Sequence, residues 1–141
     1  MKDIGSLFGD KEKARFARFV FALLFAAVML TMALGTAWST RDFIEESQVV
    51  PGRVLKLNAG GSHPQITFVT REGEEVSYPQ GGYIYNMAVG QNVHVRYITG
   101  RAARSACIDK IGALWASTLT LGAMGAVALL LALTSWPRKR S

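Results

Sequence analysis

Few side chains in this sequence have the types and spacing that metal binding requires. His63 lies in a loop rich in Gly, Ser and Pro, and His94 lies in a separate segment among alternating apolar residues. A zinc site needs three or four ligands brought together, and the spacing of the two histidines and the nearby carboxylates does not indicate one. We therefore predict no metal site and no cofactor.

The remaining reactive groups do not form a catalytic pattern either. Glu72, Glu74 and Glu75 cluster around an expected hairpin tip, where carboxylates are normally hydrated, and acid-base catalysis needs burial to separate their pKa values. No serine has a nucleophile-elbow context, and the single cysteine, Cys107, is interpreted as a small apolar residue. A thiol that pairs with another chain is the alternative for Cys107. We predict a protein that is not an enzyme.

Two long uncharged stretches, residues 19–40 and 111–137, flank a polar middle. Each supplies the roughly 20 apolar helical residues that cross a bilayer about 30 Å thick. The sequence therefore predicts a membrane hairpin carrying one small domain. The expected divisions are a cytoplasmic segment (1–17), a first transmembrane helix (18–39), an extracytoplasmic β domain (40–110), a second transmembrane helix (111–136) and a cytoplasmic basic tail (137–141).

The net charge of +6 is concentrated at the outer ends of the two stretches. Residues 1–18 contain five basic and three acidic side chains, and the tail contains three basic ones. This distribution favours the positive-inside topology, with both termini cytoplasmic in a bacterial inner membrane and no nucleic-acid partner. A cleaved signal peptide is the alternative for the first stretch, but the apolar run is too long for one.

Small residues recur at every fourth position in both stretches, which lets helix backbones approach closely in lipid. They favour packing of the two helices within one chain, with a homo-oligomer as the alternative. Neither stretch contains an ionisable residue, which argues against a channel or transporter. The packing positions are Ala22, Ala26, Ala33, Ala37, Gly112, Ala116, Thr120, Gly122 and Ala126. The expected membrane-interface anchors are Trp38, Trp115, Trp136, Arg138, Lys139 and Arg140.

The polar middle has the pattern of a small antiparallel sheet. Alternating apolar residues predict strands over residues 49–57, 65–70, 76–78 and 93–97, with a last strand over 103–108. No helix is indicated between the first and last of these. Four or five short strands fit a curled sheet or small barrel of SH3 or OB size better than a sandwich.

Several motifs, in this order, resemble a widespread bacterial family of two-span membrane proteins of unknown function. They are VPGRV at 50–54, ITF at 66–68, VGQNVHVRY at 89–97, and ACID at 106–109 just before the second stretch. The resemblance covers roughly residues 48–133 and implies the same two-helix architecture. The chain departs from the family after Tyr97, where residues 98–101 replace the usual Asp-Pro turn.

Gly-rich sequence around Tyr83, Ile84 and Tyr85 has the composition of a binding loop, because Tyr provides a large contact area at low entropy cost. The same residues could instead cover the open end of the barrel. Our leading hypothesis is a non-enzymatic accessory or scaffold protein, embedded in the lipid bilayer, whose external domain contacts another membrane or envelope protein. The alternative is an immunity-type protein that neutralises a toxin delivered to the periplasm.

Overall fold

The computed structural model describes residues 4–136, with side chains from Gly9 onward. The chain forms two compact units, a helical unit from the parts up to Gly35 and from Thr118, and a β unit over Thr36–Ser117. The elements are α1 (Ile4–Glu46), β1 (Gln48–Asn58), a 3₁₀ turn (Ala59–Gly61), β2 (His63–Val69), β3 (Glu75–Pro79), β4 (Asn92–Tyr97), α2 (Ala102–Ser105), β5 (Cys107–Ile108), α3 (Ile111–Leu114) and α4 (Ala116–Thr134).

Two of these helices are long and apolar enough to cross a membrane by length and composition. They are Gly9–Glu46, which contains an 18-residue stretch with a mean hydropathy of 2.3, and Ala116–Thr134, which contains a stretch of the same length with a mean hydropathy of 1.9. Large apolar side chains such as Phe21 and Leu24 on α1 and Leu130 on α4 are exposed. This is the distribution expected of helices whose surface is covered by lipid instead of by protein.

Small residues lie where the two segments of the helical unit meet. Ala26 is buried, and a methyl group on Gly125 would come within 2.7 Å of Leu30 Cδ2. At the end of α4, the Phe19 and Trp136 rings pack edge to face with centroids 5.2 Å apart. The close approach supplies dispersion contacts, which drive helix association in lipid.

The predicted packing positions divide between exposed and buried sites. Ala26 and Ala33 are buried on α1, whereas Thr120 and Ala126 are exposed on α4 and Gly122 has open space beside it. Ala22, Ala37, Gly112 and Ala116 are partly buried. The buried small residues of α4 are Gly125, Ala128 and Ala132.

The β unit contains a five-stranded antiparallel sheet in the order β3-β2-β1-β4-β5. This confirms the fold class predicted from the sequence, two long apolar helices with a small curled antiparallel sheet. Alternating residues such as Val93, Val95 and Tyr97 are buried in its core, which explains their period-two spacing. Gly52 lies between β2 and β4, where a methyl group would meet Val95 Cγ2 at 2.7 Å.

The end of the domain differs from the predicted strand over residues 103–108. Only Cys107 and Ile108 pair with β4, and residues Ala102–Ser105 form a single helical turn. The hydroxyl of Ser105 donates to the Arg101 carbonyl and accepts from the Ile98 amide. These bonds satisfy backbone groups locally, so the segment does not need a strand partner.

Arg96 ties both ends of the β unit to the sheet. Its Nε donates to Asp109 Oδ1 at 2.7 Å, and its Nη1 donates to the Ile44 carbonyl at 3.3 Å and to Ser47 Oγ at 3.4 Å. The side chain is only 18% exposed, so water screens this pair less than a surface pair. One guanidinium thus joins the end of α1, β4 and the segment that follows β5.

We expect Arg96→Ala to lower the free energy of unfolding by about 2–3 kcal/mol, because a charged donor with three partners is lost. The matched control is Arg41→Ala, which removes an exposed ion pair with Glu45 and should leave the unfolding midpoint almost unchanged. Thermal unfolding of the full chain in detergent, followed by circular dichroism, measures both. Equal midpoints for the two variants would contradict the role given to Arg96.

Candidate functional site

The histidines lie apart on the β unit. His63 begins β2 and contacts Ser62 Oγ through Nδ1 at 3.2 Å, and His94 is exposed on β4 opposite Pro51. Within residues 4–136, no group of three or more His, Cys, Asp or Glu side chains could hold a metal ion. Neither histidine is therefore brought to a candidate metal centre by the fold.

The glutamate cluster lies at the turn between β2 and β3, and its hydrogen bonds belong to that turn. Glu72 Oε2 accepts a hydrogen bond from Tyr97 Oη at 3.1 Å, while the Glu74 amide donates to Thr70 Oγ1. The pKa of Glu72 is lowered, first by the hydrogen bond from its own backbone amide and also by Tyr97. A carboxylate held ionised in water caps a turn and is a poor general acid.

Cys107 lies beside a cleft of about 340 Å³ in the β unit. Burial raises the pKa of its thiol, and a hydrogen bond from Gln80 opposes that shift only in part. A thiol that stays protonated is a poor nucleophile and a poor metal ligand. The cleft is lined by Thr36, Ser39, Thr40, Phe43, Ser105, Cys107, Ala113, Leu114 and Ser117.

Exposed aromatic side chains of the β unit lie in the segment between β3 and β4, residues 81–91, which we call the aromatic loop. Tyr83 and Tyr85 are 47% and 73% exposed, and Val89 is 63% exposed. Ile84 and Met87 alternate with them in sequence but are buried in the core. The loop therefore displays aromatic side chains from a backbone that the core holds in place.

Backbone contacts fix the loop at both ends. The Tyr83 amide donates to the Gly112 carbonyl at 2.7 Å, and a methyl group on Gly82 would come within 2.7 Å of the same oxygen. At the other end, the Gly90 amide donates to the Val54 carbonyl at 2.8 Å. The loop is thereby docked onto both α3 and β1.

A loop fixed in this way is suited to binding. Exposed tyrosines on a rigid backbone lose little conformational entropy when they contact a partner, and they bury a large amphipathic area. The sequence groups Tyr83, Ile84 and Tyr85 as one set of contact residues. In the structure, the two tyrosines face outward and Ile84 anchors them.

Sequence reasoning missed the residues that hold the loop and close the domain. Spacing predicts Gly112 to be a helix-packing residue, but its nearest neighbours are atoms of Tyr83. Gln80 and Arg96 form buried or half-buried hydrogen bonds that no sequence motif marks. Gln80 continues the period-two spacing of buried Val76 and Tyr78, and this spacing is the signal that could have placed it on the core face of the sheet.

The predicted interface anchors are placed as follows. Trp38 and Trp136 are 68% and 58% exposed, and Trp115 is partly buried between α3 and α4. The α3–α4 break interrupts the single helix expected there, and the Leu114 carbonyl at the break accepts a hydrogen bond from Thr40 Oγ1 at 3.3 Å. Arg138, Lys139 and Arg140 lie outside the described residues.

Comparison with known proteins identifies a relative that covers most of the chain. The sequence is 42% identical over 117 residues to a Pseudomonas aeruginosa protein named "Immune protein Tsi4", and the alignment spans 81% of each chain. No protein-family model matches the sequence, so the resemblance to the uncharacterised two-span family is not confirmed. No solved structure matches it either.

Proposed function

We propose that this chain, which belongs to the family of the immune protein Tsi4, protects the cell that makes it by binding and neutralising a protein toxin. The 42% identity over four-fifths of both chains carries this proposal. Our leading sequence-based hypothesis, an accessory or scaffold protein of a resident complex, was wrong. The relative favours the alternative, an immunity-type protein.

Protection in this proposal is stoichiometric and not catalytic. The β unit presents an aromatic loop fixed at both ends, whereas Glu72 caps a turn and burial keeps the Cys107 thiol protonated. A binding protein must therefore be at least as abundant as the toxin that it blocks. Survival should rise with the amount of this chain and saturate near one copy per toxin molecule.

The direct test uses the protein encoded by the gene adjacent to this one. That protein is exported to the periplasm of a bacterium lacking both genes, with and without this chain. We expect killing in its absence, survival in its presence, and co-purification of the two proteins at a fixed ratio in mild detergent. Equal killing in both strains, or co-purification with a resident membrane complex instead, would overturn the proposal.

We also propose that the chain lies in the inner membrane with both termini in the cytoplasm and the β unit in the periplasm. Two apolar helices and basic residues at their outer ends support this arrangement. In a Cys107→Ser background, Ser62→Cys in the exposed turn before β2 should react with a membrane-impermeant maleimide on intact cells. Labelling of that position only after lysis would contradict the topology.

The aromatic loop is the proposed contact with the toxin. Tyr85→Ala should weaken toxin binding by roughly 10- to 100-fold, since a central tyrosine is a typical hot-spot residue. Its side chain is 73% exposed, so thermal unfolding should be unchanged. Titration calorimetry with the purified toxin measures the affinity.

Two controls isolate the loop. Tyr85→Phe keeps the ring and should retain most of the affinity. Val69→Ala removes an apolar side chain that is 54% exposed on β2 and should have no effect. If Val69→Ala weakened binding as much as Tyr85→Ala, the effect would not be specific to the loop, and the loop would not be established as the contact surface.

A further inference from the structure

A mixed apolar and basic surface lies where β1 meets the aromatic loop. We call it the basic strip, and its residues are Arg53, Leu55, Lys56 and Val89. Leu55 and Val89 are 48% and 63% exposed. The register between β1 and β2 shifts between Val54 and Lys56, and such a bulge turns side chains away from the regular alternation.

Hydrogen bonds join the two parts of the strip. The Gly90 amide donates to the Val54 carbonyl at 2.8 Å, and the Val54 amide donates to the Gln91 carbonyl at 3.0 Å. Since Leu55 follows Val54 and Val89 precedes Gly90, the two exposed side chains belong to neighbouring backbone segments. Arg53 Nε donates to the Gly90 carbonyl at 3.1 Å, so its guanidinium lies beside the same turn.

The two segments that form the strip carry only basic charged side chains. The sequence has no acidic residue between Glu46 and Glu72, and none between Glu75 and Asp109. Asp109 is already paired with Arg96. The other carboxylates of the β unit lie outside these two segments, at the end of α1 and at the start of β3 and the turn before it.

The two cations of the strip have no carboxylate partner within the described part of the chain. Arg53 donates to a backbone carbonyl only, and Lys56 makes no hydrogen bond or ion pair there. By contrast, Arg41, Arg96 and Arg101 each pair with a carboxylate of the chain. Unpaired cations next to exposed apolar side chains have the composition of a surface that a partner completes.

We infer that the basic strip, which shares Val89 with the aromatic loop and is hydrogen-bonded to it, binds an acidic and partly apolar face of the toxin. Carboxylates of the toxin would pair with Arg53 and Lys56, while its apolar side chains cover Leu55 and Val89. This inference rests on the proposed function and specifies that the contact face of the toxin is acidic. Opposite charges on the two proteins would also steer them together, which suits a protein that must capture a toxin before it acts.

The test compares two charge reversals of equal size in the full chain. Arg53→Glu with Lys56→Glu reverses the strip, and Arg101→Glu with Arg104→Glu reverses two exposed arginines near the other end of β1. Gln48 of β1 bonds to Thr99, close to the control pair, whereas Arg53 lies five residues further along the strand, roughly 17 Å away. The toxin identified by the periplasmic killing assay is the probe.

We expect the strip reversal to weaken toxin binding by roughly 10- to 100-fold, mainly through slower association, and the control reversal to change it less than about threefold. Binding to the unmodified chain should also weaken as salt is raised from about 50 to about 500 mM. Lys56→Glu alone removes no intramolecular bond, so it should weaken binding in the same direction without changing thermal unfolding.

Two results would overturn the inference while leaving the proposed function intact. The first is a strip reversal that protects and binds toxin as well as the unmodified chain, or a control reversal that weakens toxin binding as much as the strip reversal does. The other is lipid binding: the full chain in phosphatidylcholine nanodiscs captures phosphatidylglycerol vesicles, and the strip reversal abolishes this but leaves toxin binding unchanged. If the unmodified chain gives no protection at all, the proposed function fails, and this inference fails with it.

Discussion

Gly112→Val is expected to detach the aromatic loop from α3 and to abolish protection. A side chain at this position would overlap the Tyr83 carbonyl group, and its Cβ would lie 3.3 Å from the Tyr83 Cβ. The obstacle is backbone, which cannot move aside as a flexible side chain can. The Tyr83 amide would also lose its bond to the Gly112 carbonyl, so the loop would leave its position and the tyrosines would no longer be displayed together.

The matched control for this substitution is Gly122→Val. Gly122 lies in α4, and no atom lies within 4 Å of the position that a Cβ would take there, so valine fits without displacing anything. Valine is also a better helix former than glycine, and the substitution should be neutral or slightly stabilising. Limited proteolysis of the full chain in detergent should cut Gly112→Val within residues 81–91 and leave Gly122→Val intact.

A second readout separates loss of the loop from loss of the whole fold. Thermal unfolding of Gly112→Val should remain cooperative, because the strand pairing of the sheet is unchanged. Its midpoint should be lower, because Ile84 and Met87 of the displaced loop lose packing in the core. Gly112→Val should bind the toxin more weakly than Tyr85→Ala does, because it displaces both Tyr83 and Tyr85. Full protection by Gly112→Val would mean that the docked position of the loop is irrelevant to binding.

The parts of the fold that the sequence predicted are those governed by local periodicity. Val93, Val95 and Tyr97 alternate with polar residues because one face of β4 is buried, and that pattern is readable without a structure. The long apolar helices follow from their composition in the same way. Strand boundaries were correct to within about two residues for β1 to β4, as expected when the pattern is strong.

The unpredicted parts depend on individual contacts that follow no periodic pattern. The alanine-rich segment before Cys107 could be a strand or a helical turn, and the local hydrogen bonds of the Ser105 hydroxyl to Arg101 and Ile98 favour the turn. The role of Gly112 depends on the aromatic loop lying against it, and that contact joins residues distant in sequence.

The functional hypothesis failed for a related reason. An accessory subunit and an immunity protein both need a tethered binding module, so architecture alone did not distinguish them. Their difference lies in the identity of the partner, which is a property of the surface and not of the fold. Part of that information is visible in the sequence, because the two long segments that form the basic strip contain no acidic residue.

Gln80→Leu is expected to destabilise the β unit more than Arg96→Ala does. Gln80 Oε1 accepts hydrogen bonds from the Ile108 amide at 2.6 Å and from Tyr78 Oη at 2.9 Å, while Nε2 donates to the Gly81 carbonyl at 2.8 Å. Gln80 follows β3 and Ile108 lies in β5, so this side chain joins the two edge strands of the sheet. It closes the curled sheet where backbone pairing is absent.

The expected cost of Gln80→Leu is about 3–5 kcal/mol, because it leaves two buried donors without acceptors at about 1–3 kcal/mol each. That is a large share of the stability of a small domain. Gln65→Leu makes the same change on the outer face of β2, where water can replace the lost bonds to Asn58 and Ser77. The unfolding midpoint of Gln65→Leu should therefore shift little.

A double-mutant cycle with Tyr78→Phe tests whether stranded donors cause this loss. Burial raises the pKa of the Tyr78 phenol, so the hydroxyl stays a donor at neutral pH and needs an acceptor. Tyr78→Phe should cost about 1 kcal/mol in the native chain, but it should cost nothing or stabilise the Gln80→Leu variant, where the hydroxyl has already lost its partner. The measurement is urea unfolding of the full chain. If the losses in unfolding free energy of the two single variants simply added in the double variant, the loss in Gln80→Leu would come from packing and not from donors without acceptors. Gln80 would then not be the residue that closes the sheet.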